Sequence, residues 1–84
     1  MLKVSVISPE AVLFEGETDS VVAPAYDGEV GILSDHAPLM TLLGKGQLRL
    51  GGGPGGGRSF TVSGGFMQVL NNAVRVVTEK ATAA

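Results

Sequence analysis

Apolar and polar residues alternate with a period of two along most of the chain. Leu2, Val4 and Val6 alternate with Lys3 and Ser5 before Ser8-Pro9-Glu10 supplies turn chemistry, so the chain opens on a strand. Residues 11–15 and 18–23 are apolar or β-branched runs on either side of Glu15-Gly16-Glu17, which predicts a hairpin with glycine in its turn. Pro24 is expected to stop pairing, because it has no N–H for a ladder. Asp27-Gly28 is a turn pair, and residues 29–33 form a short strand in which Gly31 marks a bulge or a close backbone approach. Leu39-Met40-Thr41-Leu42-Leu43 is apolar on both faces, so it is expected to be covered on both sides, or on one side by a partner.

After Gly44-Lys45-Gly46 the alternation resumes in residues 47–50 and returns in 58–63, 66–70 and 73–78, with turns at Gly64-Gly65 and Asn71-Asn72. Residues 51–57, six glycines around Pro54, read as a mobile hairpin loop. Residues 79–84 favour helix by propensity but are too few to hold one, which leaves a short C-terminal tail after a single domain of residues 1–78. About nine to ten short strands with no amphipathic helix predict an all-β fold, an antiparallel β-sandwich or small barrel.

Composition narrows this picture. At 84 residues the chain is one domain near the lower limit for folding on a single core. It has no Cys, which excludes disulfides, thiolate zinc sites and thiol nucleophiles. Hydrophobic residues make up 44% but aromatics only 5%, without Trp, so the core must be aliphatic. A net charge of −2 offers no basic footprint for nucleic acid. No apolar run approaches the roughly 18 residues of a spanning helix, and no basic segment leads into an apolar one at the start. The expectation is a soluble, cytoplasmic protein able to dock on something in a membrane.

Candidate chemistry gathers in residues 26–39, which hold the only Tyr and the only His. Ser34-Asp35-His36 has the residue types of a hydrolase triad, but adjacent residues cannot align as nucleophile, base and orienter, so a turn is the stronger reading. One His with scattered carboxylates has no metal-ligand spacing. Residues 52–59 nearly match a phosphate-binding loop, with Arg58 in place of Lys, but the pattern needs a following helix and a strand follows here. No catalytic, cofactor or metal site is therefore expected. What remains is a side-chain-poor patch, Gly28, Gly31, Ala37 and Pro38, with Glu29 and His36 as its polar pins and Pro38 stiffening the loop. Such a surface suits docking better than enclosure of a substrate.

Gly28-Glu29-Val30-Gly31-Ile32-Leu33 followed by His36-Ala37-Pro38-Leu39 resembles the epsilon-subunit family of F-type ATP synthase, in its N-terminal β-sandwich domain. The flanks agree: Val6-Ile7-Ser8-Pro9-Glu10, Leu13-Phe14-Glu15-Gly16, Val21-Val22-Ala23-Pro24, and Val62-Ser63-Gly64-Gly65-Phe66 with Val69. The resemblance implies a flattened sandwich of two sheets at the foot of the central stalk. That domain is non-catalytic and binds no cofactor in the short form. It holds the gamma subunit, sits on the c ring and rotates with both, coupling proton flow to ATP synthesis from the cytoplasmic face of the bacterial inner membrane. By motif, Gly28, Glu29, Val30, Gly31, His36, Ala37 and Pro38 would face the c ring, and Leu39, Met40, Leu42 and Leu43 would suit gamma.

Two departures stand out. Longer members continue into a C-terminal helical hairpin that can inhibit ATP hydrolysis and in some cases binds ATP. This chain ends where that hairpin would begin, so neither property is expected of it. Residues 51–57 replace a more ordinary polar turn. The competing readings are a small ligand-binding β-sandwich module, against which the sparse aromatics count, and a small hydrolase.

Overall fold

With period-two alternation each strand has one apolar face, and two sheets bury those faces against each other. The computed structural model describes residues 1–54 and 56–83, and among these it has ten strands and no helix. They are β1 (Leu2–Ile7), β2 (Val12–Thr18), β3 (Ser20–Ala25), β4 (Gly28–Leu33), β5 (Leu39–Leu42), β6 (Lys45–Gly51), β7 (Arg58–Ser63), β8 (Phe66–Leu70), β9 (Ala73–Val77) and β10 (Lys80–Ala83). The first sheet has the order β2-β1-β9-β8-β5 and the second β10-β7-β6-β3-β4. Extents of 26 × 24 × 18 Å make the sandwich flat.

The core is aliphatic, as composition requires. Leu2, Val4, Val6, Met67, Val69, Val74 and Val76 of the first sheet meet Val21, Ala23, Ile32, Leu48, Leu50 and Val62 of the second. Each large side chain among them contributes about 1.5–3 kcal/mol by leaving water. The aromatic contact across the sheets is Phe14 against Phe60, with ring centroids 6.2 Å apart at 55°.

Several local expectations are corrected. Glu15-Gly16-Glu17 is not a turn: β2 runs through it, with Gly16 opposite Val4. The Phe14 ring lies over Gly16, where a Cβ would come within 2.8 Å of the ring's Cζ, so glycine serves packing there. The chain instead crosses between sheets at Asp19. Pro24 does not end β3, which pairs with β4 as far as Ala25. It limits pairing on the other side, where the β3–β6 ladder stops at Val22. The Pro24 carbonyl accepts from Gly44 N–H (2.7 Å) on that side, so its missing N–H falls there too.

Gly31 is neither a bulge nor a close approach. It pairs in regular register with Val22, and nothing lies within 4 Å of where its Cβ would be. The sandwich is antiparallel except that β1 and β9 run parallel. Residues 52–57 connect the paired strands β6 and β7 as a hairpin loop should, while Gly51, also read as loop, is the last residue of β6 and pairs with Ser20; Gly55 lies outside the described residues.

The stretch read as a tail carries a strand: β10 pairs antiparallel with β7, and Ala81 packs against the core, while Ala84 lies outside the described residues. The buried Thr78 hydroxyl sits 3.0 Å from the carbonyls of both Gly64 and Lys80, where the chain passes from one sheet to the other. Pairing with β7 overrides the weak helix propensity of six residues.

Candidate functional site

The loop of residues 34–38 joins β4 to β5, which are edge strands of opposite sheets. One border of the sandwich therefore carries most of the residues singled out above. Along β4, alternation turns Glu29, Gly31 and Leu33 outward, with Leu33 64% exposed, while Val30 packs against the core and Ile32 is buried. Glu29 reaches across β3 to Arg49 of β6, whose Nη2 donates to Oε2 at 3.0 Å and to Oε1 at 3.2 Å. Both side chains are more than half exposed, so the pair is worth about 0–1 kcal/mol and sets charge layout rather than stability. Arg49 was missed as a polar group of this patch. Alternation turns it outward, but only the order β6-β3-β4 places it beside Glu29.

His36 lies beyond the far end of β4 from Glu29, so the two expected pins are separated by roughly the length of that strand. Its backbone N–H donates to Leu33 O (3.2 Å), and ring Nδ1 donates to Ala37 O (2.7 Å). Among the described residues it makes no hydrogen bond to Ser34 or Asp35, so the triad residue types do not become a triad. The turn reading holds for Asp35, but its partner is distant in sequence. The Asp35 carboxylate accepts from Asn72 Nδ2 (3.2 Å), and the Asp35 N–H donates to Asn72 Oδ1 (2.6 Å). Asn71 and Asn72 form the two-residue turn between β8 and β9. With φ of 50° and 64° they take the left-handed pair that suits such hairpins. Asp35, His36, Pro38, Asn71 and Asn72 line an open cleft of about 320 Å³.

The apolar run divides by face. Leu43 is buried and Leu39 packs against the core, while Met40 and Leu42 are 64% and 63% exposed. Leu42 starts a row that only the strand register reveals: Leu42 pairs with Phe66, Phe66 with Val77, and Val77 with Ile7. These four lie on the outer face of the first sheet. The next row, Met40, Gln68, Arg75 and Ser5, is mostly polar. Among the described residues no cluster of three or more His, Cys, Asp or Glu is placed to hold a metal ion.

Residues 1–84 match the family described as ATP synthase, Delta/Epsilon chain, beta-sandwich domain. An ATP synthase epsilon chain of Desulforamulus reducens is 47% identical over 81 residues, covering 94% of this chain and 59% of that one. The ATP synthase epsilon chain of Chlorobium limicola is 38% identical over 77 residues, covering 92% of this chain and 88% of that one. This chain thus spans about three fifths of the length of the first relative. Its fold superposes with a TM-score of 0.88 on a chain of the Euglena gracilis mitochondrial ATP synthase, OSCP/F1/c-ring in rotational state 1, at 21% identity, over 98% of this chain and 52% of that one. Sequence along the whole chain and the two-sheet architecture agree, and the chain belongs to the family of the ATP synthase delta/epsilon-chain β-sandwich domain.

Proposed function

We propose that this chain acts as the sandwich domain of a non-catalytic central-stalk subunit of a proton-translocating F-type ATP synthase. It binds gamma, rests on the c ring and turns with both, so that proton flow is coupled to ATP synthesis. Its place is peripheral, on the cytoplasmic face of the bacterial inner membrane. Family membership over residues 1–84 and relatives named ATP synthase epsilon chain support this reading. The observation that carries it is the exposed apolar edge at Met40 and Leu42, continuous with the row through Phe66, Val77 and Ile7. An apolar patch beside a polar row suits a protein partner.

Gamma would cover Met40 and Leu42, with Leu39 and Leu43 supporting the strand from the core. The c ring would meet the low-relief border: Gly28, Glu29 and Gly31, together with the His36-Ala37-Pro38 loop. A standard interface takes about 800 Å² per partner. The total surface of 4708 Å² leaves room for two partners on different faces.

The test is capture of gamma and c ring by the tagged chain from solubilised membranes. Both should be recovered, and Leu42→Glu should cut gamma recovery at least tenfold, a loss of about 1.4 kcal/mol or more, while leaving the unfolding midpoint unchanged. A wild-type chain that recovers neither would overturn the reading.

A further inference from the structure

Among the described residues, three non-glycine residues have positive φ: Asp35 at 64°, Asn71 at 50° and Asn72 at 64°. All three meet at one place, although 37 residues separate Asp35 from Asn72. Asp and Asn enter this region more readily than other non-glycine residues, so the loop and the turn take these conformations at little cost, and contacts between them fix how they sit together. The holding contacts centre on Asn72. Its Oδ1 accepts the Asp35 N–H, its Nδ2 donates to the Asp35 carboxylate, and its backbone carbonyl accepts the Lys3 N–H at 2.8 Å. One residue thus ties the loop after β4, the β8–β9 turn and the start of β1.

The loop otherwise has little to hold it. Within residues 34–37 the contacts are the His36 N–H to Leu33 and the His36 ring to Ala37, both local to the loop. Asp35, Ala37 and Pro38 are exposed. A loop on local contacts alone samples many orientations, and a partner must then order it at a cost in affinity.

We infer that Asn72 is a positioning residue. Its clasp on Asp35 presets the His36-Ala37-Pro38 loop in the orientation that docks on the c ring. The inference rests on the docking reading above and adds to it a residue outside the docking surface. Asn72 acts through Asp35 and need not touch the partner.

The clasp makes a particular prediction about exchanged side chains. In Asn72→Asp two carboxylates face each other and the side-chain bond is lost. Adding Asp35→Asn restores a donor at residue 35 and leaves a carboxylate at 72, so both bonds re-form with the polarity of one reversed. Asp35→Asn alone keeps both bonds.

Two measurements on the full chain test this. The first is amide hydrogen exchange on the isolated protein. Asn72→Gly keeps the left-handed turn but removes both clasp bonds, so the Asp35 and His36 amides should exchange roughly five- to tenfold faster while amides within β8 and β9 stay protected. The second is capture of c ring by the same proteins. Asn72→Gly and Asn72→Asp should reduce it roughly five- to tenfold, and Asp35→Asn/Asn72→Asp should recover it. Unchanged exchange at Asp35 in Asn72→Gly would overturn the clasp. Faster exchange with undiminished capture, or a double variant no better than Asn72→Asp, would overturn its positioning role. If the wild-type chain captures no c ring, the docking reading fails together with the positioning role, and the exchange data then report only the clasp itself.

Discussion

At Gly65 the backbone has φ of +101°, and a Cβ there would run into the Val77 carbonyl and lie 2.7 Å from the Thr78 Cα. Gly65→Ala should therefore destabilise the chain by roughly 2–4 kcal/mol, combining an unfavourable conformation with a backbone clash, as read by urea denaturation. Gly31→Ala, on the exposed face of β4 with open space around it, should stay within about 0.5 kcal/mol in the same assay. The sequence reads Gly65 as a turn residue and Gly31 as a bulge or close approach within a strand. Gly65 is required by its surroundings, whereas Gly31 leaves open space on the outer side of β4. Thr78→Val should cost about 1 kcal/mol, because it removes a buried hydroxyl that lies 3.0 Å from the carbonyls of Gly64 and Lys80 and donates to one of them at a time.

At the scale of elements, β4 and β5 are edge strands with different surfaces. β4 carries a charge pair and a gap. Arg49→Ala should change stability by less than about 1 kcal/mol, and by less still at high salt, because the Glu29–Arg49 bridge is exposed. Gly31→Trp should fold normally yet reduce c-ring capture, since it fills the low border without touching the core. A normal c-ring yield from that variant would remove β4 from the docking surface. β5 carries Met40 and Leu42 outward, beside Phe66. The expectation of cover on both sides fails within this chain at these two side chains, which the sandwich leaves exposed.

At the scale of the whole molecule, the parallel β1–β9 ladder joins strands from the two ends of the sequence and closes the first sheet. Pairings this distant must form against loop-closure entropy, so folding should take roughly milliseconds to seconds by stopped flow. Leu48→Ala or Met67→Ala, each fully buried, should lower stability by about 2–5 kcal/mol. That is a large share of what a domain of this size holds.

The all-β class, the aliphatic core and most strand positions followed from alternation and composition, because period-two patterning is a local property that burial of one face then enforces. The stretch from Gly28 to Pro38 stood out by its residue types and its resemblance, and it divides into strand β4 and the loop of residues 34–38. What tertiary structure alone decided were the partners across space. It ran β2 through Gly16 and paired residues 80–83 with β7. It also turned Val30, Leu39 and Leu43 inward, set Arg49 against Glu29 and locked Asp35 to Asn72. Each depends on which strands lie side by side and in what register, and a register joins residues tens of positions apart. A linear pattern specifies which face of a strand is apolar, and only the packed sheets determine what that face, or the loop beyond it, will meet.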